Sequence, residues 1–272
     1  MPEKRSSLTR FRYKEDRWPV FIVLMLTLID FILYFTLDSM AVFCGYYLLM
    51  LLPKGVICAW NHHHQHLFTF RHAFLNRGLE FAYALHTGVT THLWRLHHVL
   101  GHHLNFLDQE RDESRWKRKD GTRMGVIEYT LNVAVTAYTR GYKVGIKYPK
   151  QLSPFLIFTA ITFTVVAVLV WYKPVAGLML FVLPMITSLL FTAYVTYEHH
   201  SGLDTQNEFE ASYNNLDPLF NRLTGNLGYH TAHHHKQGVH WSKLPALHAQ
   251  IESKIPAHLY QKSIFTRMIL RG

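Results

Sequence analysis

Cysteine is scarce in this chain: Cys44 and Cys58 are the only two in 272 residues, which excludes both a disulfide framework and a thiolate-bound metal cluster. Both fall on one expected helix, about 21 Å apart at 1.5 Å per residue, too far to bridge, so they read as reduced packing residues. There is no Cys-x-x-Cys element for a dithiol couple, and no His-Glu-x-x-His to set a base beside a hydrolytic zinc. Charge is sparse at 17%, and acid is rarer than base, with 18 Asp and Glu against 28 Lys and Arg. The basic, aromatic N-terminus runs into an apolar stretch without a small-residue cleavage pattern, so no cleavable signal peptide is expected. Repeats, low-complexity linkers and composition breaks are also missing, and residues 1–272 read as a single domain.

What the chain does have is apolar length. Hydrophobic residues make up 49% of it and aromatic residues 14%. Stretches 19–37, 39–60, 154–172 and 174–197 are each long enough to cross a hydrocarbon core of about 30 Å. The expected fold is therefore all-α and membrane-integral, with four transmembrane helices in two hairpins. Residues 61–153 and 198–272 would form a helical cap on the cytoplasmic side. The charges set that orientation: apart from Lys54 inside the second span and Lys173 in the second hairpin turn, all Lys and Arg lie on the side of the termini. Lys4, Arg5, Arg10, Arg12, Lys14 and Arg17 precede the first span and read as an orienting leader. An intramembrane carboxylate is costly, so Asp30 is expected to find a partner, and a snorkelling Lys54 is the nearest candidate by depth. Residues 67–97 and 124–148, half apolar and half polar, read as interfacial helices lying on the bilayer.

Histidine is abundant, with twenty in all, and most fall in four short clusters. His62 and His66 stand four apart. His98, His102 and His103 follow a His-x3-His-His spacing, and His230, His233 and His234 a His-x2-His-His spacing, each set able to share a helix face. With His199, at the end of the fourth span, they make nine imidazoles brought to one membrane face by the two hairpins. Neutral imidazole binds iron, copper or zinc. Nine ligands are too many for one structural zinc ion and suit two metal ions with room for an oxygen species. The scattered His72, His86, His92 and His258 read as surface or packing residues. A membrane zinc hydrolase or a metal transporter remains as a distant alternative, although a transporter would hold its ligands near the bilayer midplane.

The three boxes, together with Tyr197-Glu198-His199-His200-Ser201-Gly202, Asn226-Leu227-Gly228-Tyr229-His230 and His240-Trp241-Ser242-Lys243-Leu244-Pro245, resemble the integral-membrane fatty acid desaturase and alkane hydroxylase superfamily over nearly the whole chain. The resemblance implies a non-haem diiron oxidoreductase using O2, with His62, His66, His98, His102, His103, His199, His230, His233 and His234 as metal ligands. Glu198, Asp108, Asn226 and His200 are candidates for groups that support those ligands. One departure is Val195, where alkane hydroxylases carry an asparagine four places before their extra histidine. The implied reaction is fatty acyl desaturation. Hydroxylation of a fatty acid or alkane, or formation of a terminal alkene or alkyne, is the alternative. With no electron carrier of its own, the chain should need an external donor of the ferredoxin, rubredoxin or cytochrome b5 type, steered by Arg115, Lys117, Arg118 and Lys119. Its other partners would be the lipid bilayer and an acyl substrate, with no role for nucleic acid.

Overall fold

The computed structural model describes residues 10–262, so Lys4 and Arg5 of the basic leader lie outside the described range. Among the described residues the chain is helical, with isolated bridges in place of strands. The apolar runs form α1 (Arg17–Thr36), α2 (Met40–His66) and α5 (Pro149–Tyr172). The fourth run forms α6 (Pro174–Gly177), which passes through a π turn (Leu178–Val182) into α7 (Leu183–His200). These are four helical runs long and apolar enough to cross a membrane, and the chain is a multi-pass membrane protein. Trp18, Phe35, Leu48, Leu49 and Trp171 point outward, as expected of surfaces that face lipid rather than water.

The second and fourth spans run further towards the histidines than the sequence reading places them. No helix breaker separates Trp60 from the first box or Tyr197 from His199, so α2 continues to His66 and α7 to His200. The ligand candidates therefore ride on the last turns of rigid spans. At the other end of the bundle, Lys173 joins the two hairpins: its Nζ donates to Tyr34 O (3.1 Å) and Leu37 O (3.3 Å) and pairs with Asp38 (2.9 Å).

The expected Asp30–Lys54 pair forms. Lys54 Nζ lies 2.8 and 3.0 Å from the two carboxylate oxygens, and both side chains are buried. Tyr46 Oη donates to Asp30 Oδ1 (2.7 Å), and Lys54 donates again to Leu180 O (3.2 Å). In a medium without water every buried polar atom needs such a partner, and this network stitches α1, α2 and the fourth span together.

Residues 67–97 do not lie on the surface as the sequence suggests. Helix α3 (Ala73–Thr87) runs between α1, α2 and α7. Near its end Leu85 joins the core cluster of Tyr34, Phe43, Leu180 and Phe181. Its polar residues, which looked like a wet face, are satisfied inside. Asn76 exchanges hydrogen bonds with the backbone of Phe70 (2.9 and 3.0 Å), Glu80 meets His64 and Arg77, and His86 meets Thr27 and Asp30. The chain reverses at Gly88, whose left-handed φ of 65° and 2.6 Å approach of a hypothetical Cβ to Met185 O leave no space for a side chain. Helix α4 (Val126–Gly145) does keep an amphipathic pattern. Val133, Ala134 and Ala137 face inward, while Ile127, Leu131 and Val135 form an exposed apolar stripe suited to a bilayer surface. Three short helices, α8 (Pro218–Thr224), α9 (His230–His235) and α10 (Leu244–Ile251), complete the end that carries the histidines.

Candidate metal centre

Four elements deliver imidazoles to one buried place. On the last turn of α2, His62 and His66 face inward while the other side of the helix is strapped down. Asn61 Nδ2 donates to Thr87 Oγ1 (3.1 Å) and Val89 O (3.3 Å), and Gln65 Oε1 accepts from Arg95 N (3.3 Å). The neighbouring histidines are engaged elsewhere. His64 meets Thr69 Oγ1 (2.9 Å) and Glu80 (3.3 Å), and His63 donates to Thr224 O (3.0 Å).

The second box lies on a π-helical segment, Arg95–His103. Hydrogen bonds in such a segment run from i to i+5, so residues five apart come into line. His98 and His103 accordingly face each other, with Nε2 to Nε2 at 3.0 Å, and His102 is turned away to a second target. The third box opens α9. Thr231 fixes that helix by accepting from Asn214 Nδ2 (2.8 Å) and donating its own N–H to Asn214 Oδ1 (3.1 Å). Ala232 seats the opposite face on Leu247, Ile251 and Leu259. The approach to α9 passes Gly228, where a Cβ would fall 1.9 Å from Asn215 O.

The outcome is two clusters. His62, His66, His98, His103 and His233 hold ring nitrogens within 4.8 Å of one another, and so do His102, His200 and His234. The two are adjacent, since the rings of His103 and His234 stack with centroids 4.1 Å apart. His230 borders the second cluster, its Nε2 lying 2.9 Å from His200 Nε2, and His199 stacks on His230 at 3.9 Å. All nine imidazoles expected as ligands are thus in one neighbourhood, but the structure gives the position beside His102 and His234 to His200. His199 lies one ring further out, with Nδ1 3.3 Å from Tyr213 O.

Of the other groups expected to support the ligands, Asp108 sits in a partly exposed turn, pairing with Arg111 and accepting from Glu110 N. Asn226 donates to Trp241 O, and Glu198 is half-buried on α7. The carboxylate that does reach a cluster imidazole is Asp112, which the sequence reading missed. Buried, it lies 2.8 Å from His102 Nδ1 and is itself held by Ser114 N (2.7 Å). His200 donates similarly from Nδ1 to Ala211 O (2.9 Å). A proton fixed on Nδ1 leaves the Nε2 lone pair directed at the cluster, as a metal ligand requires. The sequence signal for Asp112 was its place ten residues after His102 in an acidic loop, where Asp108, Glu110 and Glu113 compete for the same reading.

These residues fit metal ions. Burial, reinforced by the neighbouring imidazoles, holds His98, His103, His230, His233 and His234 well below the ordinary histidine pKa, so they stay neutral and free to coordinate. Buried His66 Nε2 and both nitrogens of His234 have no hydrogen-bond partner among the described residues, a costly arrangement that a metal ion would relieve. The donor set is nitrogen-rich and free of sulfur, which suits iron, copper or zinc.

A cleft with an empty volume of about 650 Å³ reaches the clusters from between α2 and α7. Gly55, Val56, Ala59, Phe191 and Val195 line it, and it ends on His62, His98, His199 and His230. From Gly55 to His62 it follows α2 for about 10 Å. Among the comparisons with known proteins, a model described as fatty acid desaturase matches residues 37–265. No curated protein and no solved structure matches the chain.

Proposed function

The chain belongs to the fatty acid desaturase family, a lipid-acting desaturase and hydroxylase type of oxidoreductase, and from that premise we propose that it desaturates a fatty acyl chain with O2 at a pair of iron ions. The observation that carries this reading is the apolar cleft that ends on His62 and His98 of the first cluster and on His230 and His199 beside the second, a lining suited to a methylene chain. His62, His66, His98, His103 and His233 would hold one iron, and His102, His200, His234 and His230 the other, with His199 beside them. A pair of reduced irons held by these residues would supply O2 activation and removal of hydrogen from an unactivated methylene.

The residues of the chain do the remaining work. Val56, Ala59 and Val195 exclude water from the reacting segment. Thr192 and Thr196 donate their hydroxyl protons to Ser188 O (2.8 Å) and Thr192 O (3.0 Å), leaving the walls without a competing donor. Asp112 and Ala211 O hold the protons on His102 and His200 that keep their Nε2 atoms aimed inward. An acyl thioester or carboxylate suits the many Lys and Arg on the histidine side of the bundle better than a plain alkane does. The charge asymmetry supports a cytoplasmic site and termini, with electrons from a small external donor protein.

The test is expression with iron and a reductase system, followed by mass spectrometry of acyl lipids against a His233→Ala control. Acyl chains lacking one pair of hydrogens are expected. Chains gaining one oxygen would assign hydroxylation instead, which the resemblance of the Glu198-His199-His200 turn to alkane hydroxylases favours as the second reading. Products formed only from added alkanes would overturn the acyl assignment.

A further inference from the structure

O2-dependent oxidation of a methylene chain consumes protons. In desaturation, one O2, two electrons from the donor and two protons combine with two hydrogens from the substrate to give an alkene and two waters. In hydroxylation the same two electrons and two protons accompany one O2, leaving an alcohol and one water. Either way, two protons per turnover must cross from solvent to a buried site. The apolar cleft is a poor route, because its lining has no carboxylate and its threonine hydroxyls are bonded to backbone. Asp112 is committed to His102 and Ser114.

Behind α2, away from that cleft, lies a second, smaller cavity bordered by His66 and His233 of the first cluster, by Tyr83, and by Asp16, His240 and Trp241. It is nearly filled by side chains, with room for about one water molecule. Asp16 precedes α1 and is the one carboxylate on this wall. Its side chain is 11% exposed and lines the cavity, so solvent reaches the carboxylate that borders it. His240 Nε2 (3.0 Å) and Trp241 Nε1 (2.8 Å) both donate to Asp16 Oδ1, and His240 Nδ1 accepts from Ser242 Oγ (2.8 Å). Tyr13 covers the His240 ring at 3.9 Å. Asp16 is thus a rigidly held carboxylate between solvent and a one-water cavity that borders the candidate metal site. The other titratable groups facing the cavity are His63, bonded to Thr224 O, and His64, bonded to Thr69 and Glu80.

We propose that Asp16 is the proton-relay residue of this enzyme, taking protons from solvent and passing them through the cavity behind α2 to the histidine-lined site. The inference rests on the O2-dependent reading above, but holds equally for desaturation and hydroxylation. Each transfer moves one proton from solvent to Asp16 and from Asp16 to the cavity water, so the carboxylate returns to its ionised form with no net change.

Asp16→Asn separates relay from anchor, because the amide oxygen still accepts from His240 and Trp241 while the amide carries no transferable proton. The purified variant is expected to keep the iron content, resting absorption spectrum and thermal midpoint of the parent. Its kcat should fall by about 100-fold or more, within the usual span for a lost proton-transfer group, with the KM for the acyl substrate unchanged. A larger solvent deuterium isotope effect and partial recovery with added imidazole or formic acid should follow, and Asp16→Glu should retain much of the rate. Unchanged turnover and isotope effect in Asp16→Asn would overturn the relay. Loss of iron or thermal stability in that variant would also overturn it, and would assign Asp16 to anchoring the C-terminal segment. If the parent protein forms no O2-dependent product at all, the functional reading itself fails, a result distinct from either.

Discussion

His102 and His103 are neighbours in sequence and go to different clusters, because the segment bearing them is π-helical and carries His103 round to meet His98. Spacing picked out the imidazoles but assumed the α-helical period, so it could not divide them between the two clusters. The same limit applies at the end of α7. His199 and His200 are equivalent in a string of letters, and only the fold of residues 211–213, which bring Ala211 O to His200 and Tyr213 O to His199, sets His200 beside His102 and His234. Asp112 was illegible for a related reason, since its contact with His102 depends on a turn that buries one of several nearby acids. The prediction at this scale is that Asp112→Ala and His200→Ala each lower bound iron towards one ion per chain, while the helical content remains. Loss of a supporting carboxylate typically weakens metal binding about 10- to 100-fold, so dialysis against a graded chelator followed by metal analysis is the measurement. Full iron retention in both variants would mean that the second cluster is not a metal site.

The spans themselves were plain in the sequence, because runs of apolar residues of membrane length admit few other structures. Helix α3 was not, because its polar residues are paired with other buried residues, and a one-dimensional pattern cannot distinguish a wet face from a satisfied interior one. Glu80 with His64, Asn61 with Thr87 and His86 with Thr27 make α3 the strut against which the first histidine box is set. The Asp30–Lys54 pair beside the tip of that strut couples α1, α2 and the fourth span. Removing one partner of a buried ion pair strands the other charge, at a cost of about 3–5 kcal/mol, whereas replacing both with neutral groups of similar volume costs far less. Asp30→Asn alone and Lys54→Met alone should therefore lower the thermal midpoint in detergent markedly, and the double variant should recover much of the loss. Additive losses in the double variant would show that the two residues stabilise the bundle independently.

Taken whole, the protein sets its apolar spans, its histidine clusters and a charged face in sequence, an arrangement in which an acyl substrate and an electron donor would approach from different sides. On the polar face an open basin is lined by Arg115, Lys117, Arg118 and Lys119 together with Asp108, Glu110 and Asp204. The charge run from Arg115 to Lys119 looks uniformly basic in sequence, but folding partly neutralises it: Lys117 pairs with Asp204, and Arg118 with Glu128. Neither Arg115 nor Lys119 is in an ion pair among the described residues, and Arg115 adjoins Asp112, the residue behind His102. An acidic donor protein docked here would feel a modest field dominated by those two cations, so association should fall only gently with ionic strength. Reversing Arg115 and Lys119 to Glu should raise the KM for the donor several-fold and leave the KM for the acyl substrate unchanged, while the same change at Lys117 and Arg118 should act mainly on stability by breaking their ion pairs. Steady-state titration of a ferredoxin, rubredoxin or cytochrome b5 against the two double variants separates these effects. Equal donor kinetics in parent and Arg115→Glu/Lys119→Glu protein would place the electron entry elsewhere on the polar face.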